Sequence, residues 1–82
     1  MQPIYPLSVL SIGQRAVVHA VHGTGAMYER LCDFGFTPGS KVTCLFSSVL
    51  GDPNAYGVKG SVIALRSRDA AMVECEPYGG EA

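Results

Sequence analysis

No stretch of this 82-residue chain reaches the roughly 18 consecutive apolar residues that a membrane-crossing helix needs. The start, Met1-Gln2-Pro3-Ile4-Tyr5-Pro6, lacks the positive lead and apolar centre of a secretion signal, so the expected location is the cytoplasm. Charge is scarce as well: 16% of residues carry it, and the net charge is −1. No basic cluster marks a face for phosphates, which argues against a nucleic-acid partner. Cysteine is limited to Cys32, Cys44 and Cys75. An odd number with no C-x-x-C pair suits free thiols in a reducing compartment, not a disulfide framework. Gly23-Thr24-Gly25 continues without the G-x-x-x-x-G-K or G-x-G-x-x-G spacing that aims backbone N–H groups at a phosphate. No motif sets a base beside a thiol, so neither catalysis nor a cofactor is expected.

What the chain does have is apolar content and frequent turns. Hydrophobic residues make up 48% of it, and ten glycines and five prolines recur at short intervals. That combination describes one packed domain of short strands, with its core over about 7–76 and 77–82 as a tail with too little to bury. Pro6 to Leu10 allows a helical turn that Gly13 ends. Arg15 to Val21 is rich in β-branched residues and nearly apolar on both faces, so its centre should be covered on both sides. Met27, Leu31 and Phe34 recur at helical spacing, with Thr24 or Gly25 to start the helix and Gly35 and Pro38 to stop it. Lys41 to Ser47 alternates, which assigns Val42, Cys44 and Phe46 to the core. Tyr56 to Val58 and Ser61 to Leu65 read as a hairpin in which Gly57 permits a bulge or a close approach. Ser67 to Ala70 fits a single helical turn, and Met72 to Glu76 a last strand. The pattern is mainly β: a small SH3-like five-stranded β-barrel with one or two short inserted helices.

Few constellations carry chemistry. His19 and His22 stand three apart at a strand end, where they point to opposite faces unless His22 lies in the following loop. With Cys32 or Asp33 they offer the alternative of a transition-metal sensor or carrier. Arg30 with Asp33, and Arg66 with Asp69, are spaced for exposed ion pairs. An exposed apolar patch could also pair copies of so hydrophobic a chain.

The series Gly13, Arg30-Leu31-Cys32-Asp33-Phe34-Gly35-Phe36-Thr37-Pro38-Gly39-Ser40, Gly51-Asp52-Pro53, Ala64-Leu65-Arg66 and Ala70 resembles the FeoA family from about Leu7 to Glu76. The resemblance implies a small cytoplasmic SH3-like barrel without chemistry of its own. It implies an accessory role in ferrous iron transport, with the FeoB transporter, whose cytosolic part carries a GTP-binding domain, as partner. Membrane contact would then come only through the transporter. Within such a module the helix with its following turn and the Gly51 to Asn54 loop are least committed to the barrel, which makes Tyr28, Arg30, Leu31, Gly51, Asp52 and Pro53 the expected partner-binding residues. Tyr28, with an apolar ring and a polar tip, is the expected anchor.

Overall fold

Short runs of β-branched and aromatic side chains between glycine-bearing turns make strands the main regular structure of this chain, as its computed structural model shows for residues 3–78. In chain order these are β1 (Tyr5–Pro6), a 3₁₀ turn (Leu7–Val9), β2 (Arg15–Val21), α1 (Gly25–Phe34), β3 (Lys41–Ser47), β4 (Asn54–Val58), β5 (Ser61–Leu65), α2 (Ser67–Ala70) and β6 (Val73–Pro77). The strands form one six-stranded sheet in the order β1-β6-β2-β3-β4-β5, with every neighbouring pair antiparallel. In β2, β3 and β6 buried positions alternate with more open ones, and the inner face closes on a core that includes Leu7, Leu31, Phe36, Val42, Tyr56, Val58 and Val73.

Several expectations are met residue for residue, including the bounds of β2, β3, β5 and α2. The β4–β5 hairpin turns through Lys59 and Gly60, both at positive φ, the combination that a two-residue hairpin turn requires. Gly57 serves the close approach and not a bulge: a Cβ there would come within 3.2 Å of Leu45 Cδ1.

Four expectations are corrected. A sixth strand exists, because Tyr5 pairs with Cys75 and Pro6 with Glu74; two residues carry no periodicity, and only the distant partner makes them a strand. The tail begins later than position 77, since Pro77 belongs to β6 opposite Ala16 and the Tyr78 ring lies 4.6 Å from the Arg15 guanidinium; positions 79–82 lie outside the described residues. Phe46 is exposed and not in the core. A register shift between Cys44 and Phe46 breaks the alternation that assigned it inward. Finally, the second face of β2 is covered only in part: Ala16 and Val18 are buried, whereas His19 is open and Val17 and Ala20 half-buried.

Candidate interaction surface

The helix is fixed at its exit. Gly35, at φ 112, lets its own N–H bond the Cys32 carbonyl and the Phe36 N–H bond the Leu31 carbonyl, both at 3.0 Å. This double bond with a left-handed glycine is a Schellman ending, and Leu31 and Phe36, the apolar pair that accompanies it, are both fully buried. Leu31 is therefore corrected from a contact residue to a core anchor: its side chain has no surface to offer. Tyr28 and Arg30 do face solvent. The Cys32 thiol one turn on raises the Tyr28 phenol above its ordinary pKa. The Arg30 guanidinium lies 5.8 Å over the Phe34 ring. Neither Arg30 with Asp33 nor Arg66 with Asp69 forms an ion pair among the described residues.

The second predicted element is held by a contact that sequence reading missed. Asp52 Oδ1 accepts a 2.9 Å hydrogen bond from the Ser67 N–H, one of the backbone donors that the start of α2 leaves without a helical partner. Asp52 thus caps α2 across the fold, and with Arg66 and Arg68 it lines a recess of about 300 Å³. The Pro53 carbonyl accepts from the Ser48 N–H at 3.1 Å, and Gly51 sits at φ 85. Only a signal linking positions 15 residues apart could have revealed the Asp52 bond.

The structure does not join the two predicted halves at the helix exit. Gly35 stands against Lys59, in the β4–β5 turn, while Gly51 to Pro53 precede the other end of β4. Five residues of strand, roughly 16 Å, separate them. Nor does the structure gather the metal alternative. His22 lies just past β2 and sits 3.2 Å from Glu74 Oε1, and His19 sits 3.5 Å from Glu76 Oε2, whereas Cys32 and Asp33 lie on α1. Among the described residues no three His, Cys, Asp or Glu side chains gather closely enough to hold a metal. Cys44 and Cys75 are buried free thiols; burial raises the first above its ordinary pKa and, with the nearby Glu74 charge, pushes the second up to about 12.

The family model described as the FeoA domain matches residues 5–77. The chain belongs to the FeoA family. A Porphyromonas gingivalis protein named Fe(2+) transport protein A/Fe(2+) transporter FeoB fusion protein is 36% identical over 70 residues, which is 85% of this chain and 8% of that one. The solution structure of iron(II) transport protein A from Clostridium thermocellum superposes with a TM-score of 0.85 at 33% identity, covering 92% of this chain and 46% of that one. A Stenotrophomonas maltophilia FeoA complexed with zinc and described as a prokaryotic SH3 domain protein gives 0.76 at 32% identity, covering 92% of this chain and 88% of that one. The fold is accordingly the SH3-like one. In this FeoA-family chain the motif residues that led to the family do structural work: Gly35 ends α1, and Asp52 ties the Gly51–Pro53 loop to the start of α2.

Proposed function

We propose that this FeoA-family chain is a non-catalytic, cytoplasmic accessory of ferrous iron transport that binds the cytosolic GTP-binding part of a FeoB-type transporter and supports Fe(II) uptake. The observation that carries this reading is the Porphyromonas relative, whose name joins transport protein A and transporter FeoB in one fusion protein. Absence of a helix long and apolar enough to cross a membrane among the described residues is compatible with an attachment made only through the transporter. Tyr28 and Arg30 on the helix, and Gly51, Asp52 and Pro53 in the loop, are its proposed contacts.

Binding of the purified chain to the full-length transporter in nanodiscs, with a GTP analogue, with GDP and without nucleotide, tests the reading. Saturable binding in at least one state is the expected result, and a nucleotide dependence would measure differential affinity for the transporter's states. No binding in any state would overturn it.

A further inference from the structure

Between β3 and β4 the chain closes a tight turn: the Gly51 N–H donates to the Ser48 carbonyl at 2.9 Å, and the Ser48 N–H to the Pro53 carbonyl at 3.1 Å. The two central residues of that turn are Val49 and Leu50. Val49 is 102% exposed and Leu50 92%, with Phe46, turned out by the bulge, at 58%. Central turn positions ordinarily take Pro, Gly, Asn, Asp or Ser, whose backbone preferences or short polar side chains suit the bend. Here two branched aliphatic side chains stand there without burying anything, so folding has no use for them. The turn itself is firmly held, because Asp52 is bonded to Ser67 directly behind it. Beside it, Arg66 and Arg68 outnumber Asp52 in the shared recess, which gives the base of the tip a net positive charge.

We infer that the Val49–Leu50 tip, with Phe46 behind it and Arg66 and Arg68 at its base, is the element this chain inserts into an apolar groove rimmed by carboxylates on the cytosolic part of the transporter. The inference rests on the reading given under Proposed function and adds the surface and the chemistry of its acceptor. Charge decides between occupants. Two copies paired symmetrically through the tip would each present the same net positive recess to the other, which opposes that pairing. A bilayer would gain two aliphatic side chains, about half the carbon of one myristoyl chain, with Phe46 set back behind them, and only two arginines where lipid-binding clusters carry about four to eight basic residues. A groove with an acidic rim satisfies both the apolar tip and the arginines.

The test compares wild type, the double variant V49S/L50S and the double variant R66E/R68E for binding to the full-length transporter in nanodiscs. Wild type is also titrated onto transporter-free nanodiscs of the same anionic lipid, and sedimentation follows its oligomeric state. The expected results are binding on the order of 30-fold weaker for V49S/L50S, with unchanged thermal stability, and about tenfold weaker for R66E/R68E with loss of the salt dependence. Wild-type binding that V49S/L50S matches within about twofold would overturn the inference while leaving the partner reading intact. Equal wild-type binding to transporter-free nanodiscs would assign the tip to lipid and overturn it. A wild-type dimer abolished by V49S/L50S would overturn it in favour of a second copy. Failure of wild type to bind the transporter would bring down the inference together with the reading it rests on.

Discussion

Val42 and Val49 are the same side chain seven positions apart, one at 1% exposure and the other at 102%. Val42 faces inward from β3 among Leu7, Leu31, Phe36, Tyr56 and Val73, where removal from water is the main favourable term of folding. Val49 has crossed the end of the same strand and meets only solvent. The inner face thus obeys the rule that burial rewards an apolar side chain, and the hairpin tip sets it aside. An apolar residue that earns nothing from folding is the more informative of the two about what the molecule meets.

That contrast can be broken most directly from inside. Phe36→Ala should cost about 3–5 kcal/mol, a large share of the roughly 5–15 kcal/mol that holds a small domain together. It would appear in urea unfolding as a much lower midpoint. An alkaline titration comes next. Burial holds the Cys75 thiol at about 12 against an ordinary 9.0, so below pH 9 both folded and unfolded forms keep the proton. Between 9 and 12 only the folded form binds it, and stability should fall as pH rises, by roughly 1.4 kcal/mol per unit from this group. Urea midpoints between about pH 8 and 11 should show that slope, and Cys75→Ala should make it shallower.

Asp52→Ala sharpens the boundary between the two regions. It should cost about 1 kcal/mol through the lost bond to the Ser67 N–H, measurable as a lower thermal midpoint. V49S/L50S should change stability by less than about 0.5 kcal/mol. A loss above about 1 kcal/mol in that variant would give the tip a folding role and dissolve the contrast.

Local rules account for what could be read beforehand. β2 follows from its run of β-branched residues, β3 from alternation, β5 from the hairpin pattern around Gly60, and α1 from the Met27, Leu31, Phe34 spacing with Gly35 behind it. Their formation depends on neighbours in sequence. The misses depend on neighbours in space. β1 exists only because β6 returns beside it, and Phe46 turns outward only because β3 takes a bulge against β4. The candidate site divides the same way: the Gly51-Asp52-Pro53 loop is legible as a turn, but its bond to Ser67 appears only when β4 and β5 have brought α2 back. Leu31 belongs to the core and not the contact surface, because a motif position does not say whether the motif serves contact or packing. Val49 and Leu50 are legible as two aliphatic residues between Ser48 and Gly51, where the chain has to turn.

The pairing of Tyr5 with Cys75 has a further consequence. It brings the first and last strands together at one side of the sheet, while the tip projects from the β3–β4 hairpin beyond β2 in the strand order. A polypeptide joined to the chain beyond Tyr78 starts beside β2 and β3, where the Tyr78 ring lies 4.6 Å from the Arg15 guanidinium and 5.6 Å from the Lys41 ammonium. Such a tether would convert a diffusional encounter into an intramolecular one, at an effective concentration of order millimolar for a short flexible connection. A covalently joined arrangement of this fold could then work with a tip contact far weaker than a freely diffusing chain would need.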